Sequence, residues 1–229
     1  MNAINLRKQL EEDLTELKRM ILRLGKMAEE SVTRAVWALK NQDVEAARSV
    51  IEKDDEIDEL AGSVDSACMN FTARYQPLGE DLRTVTSIMH MAIDLERIGD
   101  YGDNIAKAAI DLSGQELVKP LIDIPRMVDT LSVMVEKALA AFDTNNAEAA
   151  KEVFPMDDLM DDLERQIMRE QLLLMMEKPQ RIEQASSLLN VARTLERAGD
   201  HITNVAERVV YIVTGKTVKA SAFRRPKER

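Results

Sequence analysis

Carboxylates at helical spacing are the residues of this 229-residue sequence best placed to do chemistry. Glu96, Asp100 and Asn104 stand at i, i+4 and i+8, which places them within roughly 80° of arc on one helix face. Asp103, at i+7, joins that face. Asp54 and Asp58 form a second i, i+4 pair. The same pattern returns further along as Glu196, Asp200 and Asn204, with Thr203 where Asp103 stood, and as Asp157 with Asp161. If the two helix faces meet, each set gathers at least four carboxylates and an amide oxygen at one spot. Like charges at that density repel one another unless a cation joins them. Oxygen donors suit a hard ion, iron, manganese, magnesium or calcium, better than zinc held by thiolates. The plain alternative is a solvated acidic face neutralised by Arg97 or Arg197.

Other chemistries find little support. A carboxylate-bridged metal-storage or redox bundle needs Glu-x-x-His pairs, and neither copy has one. His90 lies between Met89 and Met91 and is expected at the core or its boundary. His201 follows Asp200, but its counterpart is Tyr101. Glycine-rich phosphate loops are absent. Cys68 falls in an amphipathic stretch and is expected to be buried and inert, and a single cysteine excludes an intramolecular disulfide framework. A metal-free helical adaptor is the remaining rival.

The elements that must position these carboxylates are helices. Apolar residues make up 45% of the chain, enough for a packed core. Aromatics are only 3%, with 8 Gly and 6 Pro, so strand formers and turns are scarce. Leu10, Leu14, Leu17, Ile21, Leu24, Ala28, Val32, Ala35 and Leu39 form one stripe at three- and four-residue steps. Breaks fall at 41–43, at Pro77-Leu78-Gly79, at Ser113-Gly114, at 144–146, at Lys178-Pro179 and at Thr214-Gly215. They predict six long helices over 3–41, 43–76, 80–113, 121–144, 146–177 and 180–214, with Pro155 kinking the fifth.

The six helices are two copies of one unit. LERIGDYGDNIAKAAIDL at 95–112 matches LERAGDHITNVAERVVYI at 195–212, an offset of 100. Residues 32–60 match 135–163 at an offset of 103. Turns 76–80 and 177–180 are the natural place for the three-residue difference. The fold expected is all-α, two tandem related three-helix bundles over 1–115 and 120–215. Gly99 and Gly199 recur beside the acids although glycine costs roughly 1 kcal/mol within a helix. Close approach of a neighbouring helix or of a ligand would explain them.

Net charge is −10, unevenly spread. Residues 216–229 hold Lys216, Lys219, Arg224, Arg225, Lys227 and Arg229 against Glu228, a tail of +5 on a body of −15. The acidic body disfavours nucleic acid as a partner. A disordered, solvated tail is expected at 216–229. The start reads as charged and amphipathic rather than as a signal peptide, and no apolar run is long enough to span a bilayer.

The two LERxGD…N segments, EKDDEIDEL at 52–60 and MDDLMDDLE at 156–164 together resemble the PhoU family of phosphate-uptake regulators. The resemblance runs from residue 1 to about 216 and covers both repeats. It implies a cytoplasmic, non-enzymatic protein of two three-helix bundles, often a homodimer. It implies negative regulation of the phosphate-starvation (Pho) response, signalling between a phosphate-specific ABC transporter and a sensor histidine kinase. The implied partners are a PhoR-like kinase and a PstB-like transporter ATPase, so the membrane is approached only through partners. It also implies metal, iron first and otherwise manganese, magnesium, calcium or zinc, on the Glu-x-x-x-Asp motifs Glu96/Asp100 and Glu196/Asp200.

Overall fold

A computed structural model describes residues 3–117 and 120–225. Eight α-helices follow one another: α1 (Ala3–Asn41), α2 (Val44–Glu52), α3 (Asp54–Tyr75), α4 (Gly79–Asp111), α5 (Asp123–Asp143), α6 (Ala147–Lys151), α7 (Phe154–Glu177) and α8 (Ile182–Thr214). Single 3₁₀ turns stand at Pro179–Arg181 and Ala220–Ala222, and the described residues contain no strand. The helices form six rods, as expected, but the second rod of each unit is broken in two. α1, α2–α3 and α4 make the first bundle; α5, α6–α7 and α8 make the second.

The ends of the rods obey local rules. Asp43 accepts the Ala46 N–H at 2.9 Å and caps α2; its counterpart Asn146 accepts the N–H groups of Glu148 and Ala149 and caps α6. Gln76, Pro77 and Leu78 join α3 to α4, whereas Lys178 alone precedes the 3₁₀ turn in the second copy. The three-residue difference between the repeats lies there. The stripe of α1 is buried from Leu10 to Leu39, with Leu14 half-buried and Leu6 exposed.

The rod breaks fall just before the first aspartates, directly ahead of Asp54 and four residues ahead of Asp157. Lys53 separates α2 from α3, and Glu152–Val153 separate α6 from α7. In each, backbone N–H groups bond three residues back: Lys53 to Val50, Glu152 to Ala149, Val153 to Ala150. Pro155 sits in the first turn of α7, where its missing N–H costs nothing. The first copy breaks about three residues later in the aligned register, at Lys53 opposite Met156, and without a proline; in the second copy the break falls where Pro155 has no N–H to return to the carbonyl of Lys151, the last residue of α6, in line with the expected kink.

The bundles pack through α4 against α8 and α1 against α5. Partners run in opposite directions along the first seam: Arg83 with Ile212, Asp94 with Asn204, Tyr101 with His201, Gln115 with Gln184. The helices are therefore antiparallel. Tyr101 and His201 are repeat counterparts, and counterparts touch only close to a twofold axis, so a pseudo-twofold passes there. Asp94 can only accept, so His201 Nδ1 donates to it at 2.8 Å, and the Tyr101 hydroxyl donates to Nε2 at 3.2 Å. Two isolated side chains behave differently from each other. Cys68 is buried, and burial pushes its thiol up to about 12, which matches an inert core residue. His90 is exposed, contrary to expectation, because Ile88 and Met91 take the inward positions on α4.

Candidate metal centre

In the first bundle α3 and α4 bring Asp58, Glu96 and Asp100 together, one oxygen of each within 4.8 Å of the others. Asp54, in the first turn of α3, borders this triad. Its Oδ1 is buried and has no hydrogen-bond partner. Burial first, then the charges of Asp103, Asp58 and Asp100, push the Asp54 carboxyl up to about 6. Asp58 is raised by burial and by Asp100, and Glu96 by burial and by Asp100. All three shifts reflect negative charge crowded where water is partly excluded. An added cation relieves that crowding, and an all-oxygen donor set fits a hard one. Asp58 and Glu96 also line a cleft of about 520 Å³ that runs along Ala61, Gly62, Met89, Ala92 and Ile93.

Arg97 supplies part of the neutralisation, 2.7 Å from Asp100 and 3.9 Å from Glu96. Two expected ligands stand apart from the triad. Asp103 is buried but paired with Lys107 at 2.5 Å. Asn104 is exposed one turn beyond Asp100 and hydrogen-bonds to none of the three.

The second bundle repeats the carboxylates but not their arrangement. Asp157 is 1% exposed at the first turn of α7, and Asp161 and Glu196 are half-buried nearby. Burial first pushes Asp157 up to about 7; Arg224 opposes this, while Asp200, Asp161 and Glu196 add to it. Among the described residues, no three carboxylates converge here as they do in the first bundle. The guanidinium of Arg224 stands between them, ion-paired with Asp157 and 3.4 Å from Asp200. Asn204 is turned to the inter-bundle seam, where its amide donates to Asp94 at 3.1 Å.

The arginine arrives on the tail, for which the sequence predicts a solvated terminus. Gly215, at φ +69, ends α8 in the left-handed region that favours glycine and reverses the chain. Ala220 is buried, and its N–H donates to Glu207 Oε1 at 2.7 Å. Phe223 packs on Phe154 with ring centroids 5.2 Å apart. Arg225 donates its N–H to Asp158 Oδ2 at 2.9 Å and pairs with Asp162 at 3.2 Å. The expectation of a disordered tail is corrected for 216–225; Lys227 and Arg229 lie outside the described residues. The available signal was Phe223, an aromatic side chain set beside two arginines in an otherwise polar tail.

The glycines answer the question raised by their recurrence. A Cβ on Gly99 would meet Ile57 at 2.9 Å, so there the close approach is helix packing. On Gly199 it would meet Asp157 Oδ1 at 3.2 Å and Met160 at 3.3 Å, so there the gap admits the buried carboxylate.

A family model for the PhoU domain matches this chain twice, at residues 21–109 and 124–209. The chain belongs to the PhoU family. Its matched segments fall on α1–α4 and α5–α8, the two halves related by the pseudo-twofold. A PhoU-family relative from Clostridium acetobutylicum, a phosphate-specific transport system accessory protein PhoU homolog, is 37% identical over 213 residues, 93% of this chain and 97% of that one. Its namesake from Pseudomonas aeruginosa is 35% identical over 221 residues, 96% of this chain and 91% of that one. The crystal structure of PhoU from Pseudomonas aeruginosa superposes with a TM-score of 0.86 at 35% identity, over 90% of this chain and 99% of that one. The phosphate transport system regulatory protein PhoU from Streptococcus pneumoniae gives 0.85 at 31% identity, over 92% and 99%.

Proposed function

We propose that this chain is a non-enzymatic accessory regulator of a phosphate-specific transport system. It represses the phosphate-starvation response while phosphate is plentiful, acting in the cytoplasm as a homodimeric adaptor between a transporter ATPase and a sensor histidine kinase. Membership of the PhoU family, with relatives named as accessory proteins of that transport system, supports the pathway. No helix among the described residues is long and apolar enough to cross a membrane, which fits a protein brought there by partners. Exposed Leu172, Leu173, Met176 and Ile182 at one end of the second bundle fit protein docking.

The acidic face of the first bundle is the regulated surface in this reading. The observation that carries it is the convergence of Asp58, Glu96 and Asp100 beside an unpartnered Asp54 oxygen. These residues would hold a hard cation, iron first, which supplies positive charge and no reaction. Without it the chain presents a strongly anionic face; with it, a nearly neutral one. Docking that depends on charge therefore depends on loading. The contact of Arg97 with Asp100 favours a second reading, a metal-free adaptor whose face binds basic surfaces directly.

The test is genetic. A strain lacking the gene is expected to express phosphate-starvation genes at high phosphate. Wild-type protein restores repression, and the Asp58→Asn/Glu96→Gln/Asp100→Asn variant does not. Unchanged expression on deletion overturns the regulatory reading; full rescue by the variant removes the acidic face from it.

A further inference from the structure

We propose that Arg224 is the resident cation of the second acidic face, so that the two repeats bind metal unequally. The first face takes a hard cation directly. The second takes one only by expelling the segment from Thr217 to Arg225. This rests on the reading of the acidic faces as metal sites.

The two faces carry nearly the same acids, yet only one has room. In the first, Asp58, Glu96 and Asp100 stand close enough to share one ion. In the second, Arg224 is inserted, its side chain 17% exposed, against an Asp157 that is 1% exposed. The contact is matched in charge but incomplete in geometry. Neither carboxylate oxygen of Asp157 completes a well-formed hydrogen bond, and Arg224 Nε is buried without a partner. An ion pair left in that state is open to exchange for a better-coordinated ion, because removing the guanidinium forfeits few directed bonds.

The copies differ where the tail is anchored. Lys107 in the first copy pairs with Asp103; their counterparts in the second are Glu207 and Thr203. Glu207 is then free to accept the Ala220 N–H, and Thr203 donates to the Gly199 carbonyl at 2.9 Å. A lysine at 207 would offer that N–H no acceptor. The acids that hold the tail are built into the second copy, and the tail follows it in the chain. The last helix of the first copy leads instead into the connection to α5.

Displacement frees more than one side chain. Phe223 leaves Phe154, Arg225 leaves Asp158 and Asp162, and a basic, aromatic segment is released. Metal at the second face and a docked tail are therefore mutually exclusive states, linked by mass action.

The test uses the full chain, with Asp58→Asn/Asp100→Asn removing the first face so that only the second reports. Equilibrium dialysis against ferrous iron under argon, followed by metal analysis, compares this parent with its Arg224→Ala and Arg224→Lys derivatives. Arg224→Ala is expected to bind iron at least tenfold more tightly than the parent, and Arg224→Lys to stay close to the parent. In the wild-type chain, iron is expected to speed tryptic cleavage after Lys219 and Arg224, a readout that needs no variant. Equal iron binding by the parent and the Arg224→Ala variant, with cleavage unaffected by iron, overturns the inference while leaving the metal reading intact. No iron bound by any chain, wild type included, overturns the metal reading and this inference with it.

Discussion

Asp54 sits in the first turn of α3, where the helix dipole favours its anion by about 0.3–1 kcal/mol. Burial and three neighbouring aspartates outweigh that and push its carboxyl from 3.8 to about 6. The folded state thus holds the proton more tightly than the unfolded state does. Stability falls as pH rises between those values, and the full cost is felt above about 6. Asp54→Asn should stabilise the metal-free protein at pH 7.5, by about 1 kcal/mol once solvent screening is allowed for, with the gap closing near pH 4. Urea denaturation in the presence of a chelator measures this; an equal or lower midpoint at pH 7.5 rules it out. At this scale the sequence was informative where periodicity was. Spacing put Glu96 and Asp100 on one helix face and Asp58 on another, and left open whether the two faces meet. Asp103 and Lys107 stand at i, i+4, so their pairing was open to spacing although it was not drawn; that Asn204 would be taken by Asp94 was not, because that contact crosses between the bundles. Arg224 was least legible, since a tail without periodicity gives no sign of what it folds back upon.

Between helices, the closest approach among the glycines is at Gly102 rather than at Gly99 or Gly199. A Cβ there would stand 2.1 Å from Ser31 Oγ and 2.9 Å from the Ser31 carbonyl carbon, so backbone as well as side chain must move. Gly62, exposed on α3, would meet nothing within 4 Å. Gly102→Ala should cost about 2–4 kcal/mol by forcing α1 from α4, whereas Gly62→Ala should gain up to about 1 kcal/mol from helix propensity. Thermal denaturation of the two variants side by side checks the contrast; equal melting temperatures would contradict the packing. Helix ends were legible because Asp43, Asn146, Gly114 and Gly215 carry their own local chemistry. The break at Lys53 was not. Glu52-Lys53-Asp54 holds no glycine or proline, and the two segments it joins each pack against both α1 and α4. The break at Glu152–Val153 was foreseen only because Pro155 marked it.

The two bundles meet as a pair of like units. Half of such a pair keeps a surface shaped for its own counterpart, formed by α4 beside α1. A fragment ending at residue 115 should therefore associate into a homodimer, α4 against α4, with a dissociation constant that sedimentation equilibrium can read. A monodisperse, folded monomer would show that the seam depends on features peculiar to the second copy. The repeat, and hence the pairing of bundles, was legible from two offsets in one chain; the antiparallel seam was not, since it rests on contacts between residues about a hundred apart. In that fragment dimer Tyr101 would face another Tyr101. Symmetry obliges a residue on an axis to greet its own image, hydroxyl against hydroxyl. Covalent fusion lifts the obligation. Asp94, His201 and Tyr101 then line up as a directional relay of hydrogen bonds that no identical pair can form, and the two halves are at liberty to specialise.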